Sequence, residues 1–525
     1  MNRAVVARTT WGLAQYVLAT ARAGGGAVPC VVIGLDGRHM SREFADDAAE
    51  IFAAAGVCVI LSRDTIPTPL TAFAVAHLGA AAGVMVTASH NPPEYNGYKV
   101  YWGNGAQIIP PIDVAIAAQI EAAPPAKRVP HLALAEARAK GLVKDLPPAV
   151  ERAYLDAVLA LAVHPGEGKR DMCIVYTPMH GVGDVLARRA FAEAGFTNVT
   201  SVPEQQKPDG DFPTVAFPNP EEKGAMDLSF ALGRKLSAAL VLANDPDADR
   251  LAVAVPGSAP SGYVQLTGNQ VGVLLGHYLL TEKPSASPDK SVVLASIVSS
   301  PLLGHIARAL GVHYEETLTG FKWIANRAMD LEREQHLRFV FGYEEALGYT
   351  VGDVVRDKDG ISAAVLMAEM TGVLRARGRG LLDELETIHR KYGLFVSSQV
   401  NVTRKGASGA MEIRAMMDAL RGARPAAIGG HTVFAISDYE AQQRYALEDK
   451  TTTALVLPPS NVLTFELEGG SRIIARPSGT EPKAKFYFDV REVVAVGEAI
   501  ATAEARAQAA MKQLADAFVE LAVPA

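Results

Sequence analysis

The chain alternates short, wholly apolar runs with longer amphipathic stretches, and the alternation recurs three times before its character changes near residue 392. Residues 30–35 (CVVIGL), 172–176 (MCIVY) and 292–297 (VVLASI) are β-branched runs of strand length that read as central strands of parallel sheets. Each is followed by a helical stretch and then by a second strand, at 83–86 (GVMV), 239–243 (ALVLA) and 339–341 (FVF). These second strands run directly into the polar loops TASHNPPEYNG, NDPDADR and GYEEALGY. In open α/β sheets ligands collect beyond the carboxyl ends of strands, so all three loops lie where chemistry is expected. The repeat predicts three related α/β domains with mixed sheets. From Gly393 onward, alternating runs at 395–402 and 462–467 precede a helical tail at 493–521, which predicts a C-terminal α+β domain. Soft breaks rich in proline and glycine set the expected domains at 1–165, 166–265, 266–390 and 391–525.

Composition narrows the classes of function. With 49% hydrophobic and 20% charged residues over 525 positions, the chain is globular and able to bury several cores. Fifty basic residues against 57 acidic ones give a net charge of -7, which offers no overall basic field for nucleic acid or anionic lipid. Any anion site must therefore be local. Cys30, Cys58 and Cys173 are far apart in sequence, odd in number and free of C-x-x-C spacing. They suggest neither a disulfide framework nor a cysteine zinc site, and they fit a reducing cytoplasm. No apolar run reaches the roughly 18 residues of a membrane span. Near the N-terminus Arg3 and Arg8 accompany an apolar run at 11–21, but Gln15 interrupts it, and Val6, Leu13 and Val17 recur at helical spacing. An amphipathic helix docked on a core is expected there rather than a cleaved signal; a transit peptide is the minor alternative.

Four loops carry candidate chemistry. In Thr87-Ala88-Ser89-His90-Asn91-Pro92-Pro93 the two prolines keep the chain out of a helix and leave Ser89 on a rigid loop. An ordinary turn serine is the plainer reading; a serine-hydrolase elbow is disfavoured because Thr87 and Asn91 stand where glycines are needed. Asp245-Pro246-Asp247-Ala248-Asp249-Arg250 places three carboxylates at alternate positions, where they repel strongly unless a cation sits among them. A hard divalent metal is implied over a solvated acidic turn, and Arg250 in place of the loop glycine excludes an EF-hand. Arg476-Pro477-Ser478-Gly479-Thr480-Glu481-Pro482-Lys483 gathers a guanidinium, two hydroxyls, an open backbone and an ammonium that suit a phosphate, or else forms a polar turn. Glu344 and Glu345 follow the third strand, where paired carboxylates can accept hydrogen bonds from a sugar or simply begin a helix. Lys322, in Thr319-Gly320-Phe321-Lys322, adds a cation whose default is the solvated surface.

Taken together and in this order, TASHNPP, DPDADR, GYEEALG and RPSGTEPK resemble the α-D-phosphohexomutase superfamily over nearly the whole chain. The resemblance implies a four-domain enzyme around a central cleft, with a phosphoserine at Ser89 and Mg2+ held by Asp245, Asp247 and Asp249 together with Ser89. It implies sugar recognition around Glu344 and Glu345, with Arg250 and Lys322 also facing substrate, and a phosphate held by Arg476, Ser478, Gly479, Thr480 and Lys483. Asp36-Gly37-Arg38 looks like the family's first-domain arginine motif, and Lys99 stands where its active-site lysine does. Lys99, with Arg38 and His90, is expected to stabilise charge and handle protons. The activity implied is phosphoglucomutase-type transfer between hexose 1-phosphate and hexose 6-phosphate, with a sugar 1,6-bisphosphate as intermediate and activator. Phosphomannomutase or phosphopentomutase activity is the alternative, since Ala346 replaces a serine common in phosphoglucomutases and GYEEALGY resembles the branch related to phosphopentomutase. A metal-dependent phosphatase and a non-catalytic sugar-phosphate sensor are the readings of other classes. Small-molecule sugar phosphates are the expected partners, with no nucleic acid, membrane or obligatory protein partner. The family's F-G-T-x-G-x-R-G segment belongs ahead of Met1. Its absence from this chain implies a weak mutase unless Arg38, Lys99 and Arg250 supply the charge.

Overall fold

The computed structural model describes every residue except 27, 405–407, 479–482 and 524–525. The chain gathers into two compact units: Met1–Leu294 with Gly320–Leu381, and Ala295–Thr319 with Leu382–Ala525. The first unit opens with the helix Arg3–Ala23, whose first turn is capped by the Asn2 side chain accepting from Val5 N. Val6, Leu13 and Val17 are buried against the first sheet, as their helical spacing predicts.

That sheet contains β1 (Cys30–Leu35), β2 (Cys58–Leu61), β3 (Ala82–Val86), β4 (Tyr98–Trp102) and β5 (Val143–Asp145). Their spatial order is β4-β3-β1-β2-β5, parallel except for β4, which runs antiparallel along β3. Buried on both faces, β1 and β3 need the continuous apolar runs seen in the sequence. The second sheet repeats the plan with β6 (Ile174–Thr177), β7 (Val199–Ser201), β8 (Leu240–Ala243), β9 (Ala252–Pro256) and β10 (Tyr263–Gln265), ordered β10-β9-β8-β6-β7. In both sheets the strand before the reactive loop turns back through an antiparallel neighbour, so the loop is clamped between two paired strands. The third repeat supplies β11 (Ser291–Ser296), β12 (His313–Thr317), β13 (Arg338–Glu344) and β14 (Gly348–Val351). Within the first unit Val292 and Leu294 pack on Phe321, Ile324 and Leu331 of the helix Phe321–Gln335.

The second unit is β-rich. Strands β15 (Leu394–Thr403), β16 (Ala427–Ile428), β17 (His431–Asp438), β18 (Gln443–Ala446), β19 (Thr452–Ala454), β20 (Leu463–Leu467), β21 (Arg472–Pro477) and β22 (Lys483–Glu492) form an antiparallel sheet, ordered β15-β22-β21-β20-β17-β18-β19 with β16 on β17. The helices Gly409–Ala423 and Ile500–Ala522 bury Met417, Leu420, Leu514 and Phe518 in its core. Arg472, nine-tenths buried, is neutralised by Asp489 at 2.8 Å and Glu316 at 2.9 Å. Among the described residues no helix is long and apolar enough to cross a membrane.

Two expectations are corrected. The C-terminal helix begins at Ile500 rather than at 493, because Gly497 takes a left-handed backbone (φ 78°) and Val493 and Val496 lie exposed before it. The strand expected at 339–341 continues to Glu344, because Gly342, Tyr343 and Glu344 pair with Thr350, Tyr349 and Gly348. The glutamates therefore sit on a β-hairpin and start no helix. The fold also brings Cys30 and Cys58, distant in sequence and both free thiols, together as register partners on β1 and β2, with their sulfurs 2.6 Å apart. Burial and the neighbouring Cys58 thiol push the Cys30 thiol up to about 12.

The ring of Phe518 lies 5.4, 5.1 and 5.9 Å from those of Phe465, Phe486 and Phe488, edge-on to each. Phe518→Ala is expected to destabilise the second unit by roughly 3–5 kcal/mol. Chemical denaturation followed by amide exchange checks this; exchange in β20 to β22 should rise while that in β1 to β3 holds.

Candidate active site

The loop between β8 and β9 carries Asp245, Asp247 and Asp249, all fully buried, and one oxygen from each lies within 4.8 Å of the others. Ala248 accepts a left-handed φ of 59°, which lets the loop reverse and direct alternate carboxylates inward. The loop is pinned on several sides. Arg250 N donates to Asp245 Oδ1, Asn244 Nδ2 donates to the Arg250 carbonyl, and Gly360 N donates to the Ala248 carbonyl. Thr68, at the start of the helix Thr68–His77, donates its hydroxyl to Asp247 Oδ2 at 2.6 Å and its amide to the Asp247 carbonyl.

Two cations offset the carboxylates. Lys99, on β4, places its ammonium 2.7 Å from Asp247 and 2.8 Å from Asp249; Lys358 lies 3.1 Å from Asp249. Burial alone would favour neutral amines, but the charges of Asp247 and Asp249 on Lys99, and of Asp249 and Asp357 on Lys358, raise both above the ordinary lysine range. Burial likewise opposes ionisation of Asp247, yet the Lys99 ammonium overcomes it and holds that carboxyl below its usual range. Asp245 has only the more distant Arg250 guanidinium, at 3.9 Å, and burial with the charges of Asp247 and Asp249 outweighs it and raises that carboxyl well above its usual range.

Ser89 follows β3 on the facing loop, also left-handed at φ 51°. Its hydroxyl donates to Asp245 Oδ2 at 2.7 Å and lies 3.2 Å from His90 Nδ1. Burial, with the Arg250 charge, lowers the His90 imidazole to about 3, so it is neutral near pH 7. Arg38 is close by but differently employed. It is 4% exposed, and its guanidinium donates to the carbonyls of Ser89, Asn91, Pro92 and Tyr95 and pairs with Asp36. Both Nη groups donate to protein carbonyls and Nε lies buried 3.2 Å from Asp36 Oδ2 without hydrogen-bonding it, so Arg38 braces the serine loop rather than reaching toward a ligand.

The hairpin β13–β14 joins this centre through its backbone, because Arg250 bridges to Gly348 and Leu251 N donates to the Leu347 carbonyl. Glu344 and Glu345 lie at the turn, with Gly320 N donating to Glu344 Oε1 at 2.6 Å. The Arg250 guanidinium extends from the aspartate loop, 3.9 Å from Asp245. Lys322, the second residue of its helix, rests its ammonium over the Trp323 ring at 5.6 Å. In the second unit Arg476 donates to the Thr319 hydroxyl, and Ser478 N donates to the Lys483 carbonyl at the base of the β21–β22 hairpin. Gly479 and Thr480 lie outside the described residues.

The donor set fits a hard divalent ion. Asp247 Oδ1 and Asp249 Oδ1 are buried without a hydrogen-bond partner, oxygen ligands converge from alternate residues, and among the described residues no sulfur or imidazole joins the cluster. Sequence reasoning missed Thr68, Asp357 and Lys358. Asp357 accepts from Tyr101 and Gln107 and so aligns Lys358 beside it. The signal was present in Arg356-Asp357-Lys358-Asp359-Gly360, a dense run of charge directly before the buried helix Gly360–Ala376.

Burial, then the Glu345 charge, raises the Glu344 carboxyl to about 7, against the weaker pull of Lys358 and Arg250. An acid whose folded value is raised binds its proton more tightly when folded, so stability falls as pH rises from about 4.5 to 7 and levels off above. Glu344→Gln keeps the acceptor for Gly320 N and loses the titration. Relative to the wild type it should gain stability across that window, by roughly 1.4 kcal/mol per pH unit at the steepest. Urea midpoints at pH 5 and 7.5 measure the difference.

Comparison with known proteins agrees with this geometry. Residues 1–127, 152–258 and 267–392 match the models of phosphoglucomutase/phosphomannomutase α/β/α domains I, II and III. A probable phosphomannomutase of Haemophilus influenzae is 42% identical over 94% of this chain and 93% of its own. A probable phosphoribomutase of Schizosaccharomyces pombe is 39% identical (94% and 84% covered), and the human phosphopentomutase 37% identical (93% and 82%). Among solved structures, a phosphoglucomutase/phosphomannomutase family protein from Burkholderia thailandensis superposes with a TM-score of 0.68 at 20% identity, covering 100% of this chain and 94% of that one. The open form of Paramecium parafusin does so with 0.68 at 17%, covering 97% and 91%, which supports the same fold. Three matched domains in order, with relatives near 40% identity over four-fifths or more of their length, establish that this chain belongs to the phosphoglucomutase/phosphomannomutase family, within the α-D-phosphohexomutase superfamily.

Proposed function

We propose that this chain moves a phosphoryl group between C1 and the terminal hydroxyl of an aldose, using Ser89 as carrier and a sugar bisphosphate as intermediate. The observation that carries this reading is the Ser89 hydroxyl held 2.7 Å from Asp245 on a strained loop facing three buried carboxylates. Such a hydroxyl is placed for reversible phosphoryl transfer, whose catalysis is mainly positioning and charge neutralisation. Asp245, Asp247 and Asp249, with an oxygen on Ser89, would hold Mg2+, and when bound it supplies Lewis-acid neutralisation of phosphoryl oxygens.

The chain's own residues do the rest. In the forward step the Ser89 Oγ–P bond breaks, phosphorus bonds to the sugar hydroxyl oxygen, and that hydroxyl's proton is released. Lys99, kept as an ammonium by its aspartates, neutralises charge and is not free to act as a base. His90, 3.2 Å from Oγ, is assigned to proton handling by its position. After the bisphosphate turns, the second phosphoryl returns to Ser89 and regenerates the carrier. Glu344 and Glu345 are assigned to sugar hydroxyls with Arg250 and Lys322 beside them, and Arg476, Ser478, Gly479, Thr480 and Lys483 to the phosphate that is not transferred. The cytoplasm, consistent with three free thiols, is the proposed location.

Glucose 1-phosphate is proposed as substrate, through phosphoglucomutase-type chemistry. A pentose 1-phosphate is the second reading, favoured by relatives 39% and 37% identical that are named phosphoribomutase and phosphopentomutase. A panel of glucose, mannose and ribose 1-phosphates, assayed with Mg2+ and a bisphosphate activator, decides among them; release of inorganic phosphate alone would mean a phosphatase.

Ser89→Ala should lower turnover at least about a thousandfold and abolish the phosphoryl group seen by intact-protein mass spectrometry. Asp247→Asn should weaken Mg2+ binding by calorimetry, and exhaustive chelation should silence the wild type until Mg2+ is restored. Arg476→Ala should raise KM for the sugar phosphate at least about tenfold while the melting temperature stays within a few degrees.

A further inference from the structure

Residues 207–214 of the second sheet's domain lie across Asp36–His39 of the first. The fit is close, because a Cβ on Gly37 would meet Pro208 Cβ at 2.7 Å and one on Gly210 would meet His39 N at 2.9 Å. The segment is anchored to its own sheet at the end of β6. Thr177 donates to Gln205 Oε1, Gln205 Nε2 donates to the Thr214 hydroxyl, Asp209 N donates to the His180 carbonyl, and His180 Nε2 lies 2.8 Å from Thr214 Oγ1. At its apex Phe212 is 2% exposed and adopts a left-handed φ of 47°. A bulky residue takes that conformation only where its surroundings demand it. What the strain achieves is visible. The Arg38 guanidinium carbon lies over the Phe212 ring, 5.0 Å from its centroid. On its edges the same guanidinium holds the four carbonyls of the Ser89 loop.

We infer that Phe212 is a positioning residue for phosphoryl transfer: its ring fixes the plane of Arg38, and Arg38 in turn fixes the backbone that aims Ser89 at the aspartates. A planar fork that donates to four carbonyls must lie in one orientation, and its faces are the only surfaces left on which to hold it. A buried aromatic face does so without competing for the donors, since the quadrupole attracts the cation from above while the N–H groups point outward in the plane. An apolar residue of equal bulk would fill the space but leave the guanidinium free to tilt. The inference rests on the reading of Ser89 as phosphoryl carrier and adds to it a domain-II residue that touches neither substrate nor nucleophile.

The test compares Phe212→Leu, Phe212→Tyr and Arg38→Lys with the wild type, each charged from labelled glucose 1,6-bisphosphate and then mixed with glucose 1-phosphate in a single turnover. Phe212→Leu should slow transfer at least about tenfold with the half-saturating glucose 1-phosphate concentration unchanged within twofold, and Phe212→Tyr should recover most of the rate. Arg38→Lys should be at least as slow, and adding Phe212→Leu to it should change the rate less than twofold, since the ring then has no fork to hold. Amide exchange over residues 88–97 should be faster in Phe212→Leu than in Phe212→Tyr, whether or not either variant turns over. The inference is overturned if Phe212→Leu transfers at the wild-type rate, if Phe212→Tyr is no better than Phe212→Leu, or if exchange over 88–97 is the same in both. Failure of the wild type to take label on Ser89 would instead sink the carrier reading, and the exchange comparison would still decide whether Phe212 orders the loop.

Discussion

Three carboxylates buried within 4.8 Å of one another govern how the first unit is built. Unit charges about 4 Å apart repel by about 4 kcal/mol at an effective dielectric of 20, so full ionisation of all three would rival the whole stability of a typical domain. The fold answers with groups drawn from every side. Lys99 comes from the antiparallel edge strand, Lys358 from the run before a buried helix, Thr68 from a helix start, and Ser89 from the facing loop. None of these groups lies near the aspartates in sequence, so the loop can be accommodated only when the surrounding pieces are assembled around it.

The two loops that face each other share a backbone device. Ser89 and Ala248 both hold left-handed conformations that cost non-glycine residues roughly 1–3 kcal/mol. In each case paired strands on either side and hydrogen bonds across the loop impose the shape. Glycine at these positions would relax the strain and also the aim.

What could be read in the sequence was what is contiguous in it. The central strands were legible because burial on both faces demands unbroken apolar runs, and the N-terminal helix because Val6, Leu13 and Val17 keep helical spacing. Ser89 and the three aspartates were legible because each motif carries its chemistry within a few residues. Lys358, Thr68 and Asp357 were not, since topology brings them in from 68 to 358 in sequence to a loop at 245–249, and no local pattern encodes that convergence. Arg38 was visible as a charge near the site, but its task was hidden, because four of its acceptors are backbone carbonyls that a sequence does not display. The late start of the last helix turned on one backbone angle at Gly497.

The antiparallel link between Arg250 and Gly348, with Leu251 bonded to Leu347, welds the loop that bears the aspartates to the hairpin that bears Glu344 and Glu345. A displacement of one is transmitted to the other as through a single stiff beam. Such a link restricts how the hairpin can change: sliding or lengthening it would drag the aspartates out of alignment with Ser89. On the proposed assignment of this hairpin to the sugar, selectivity would change through exchanges of side chains on a fixed backbone, such as the alanine at 346, one residue at a time.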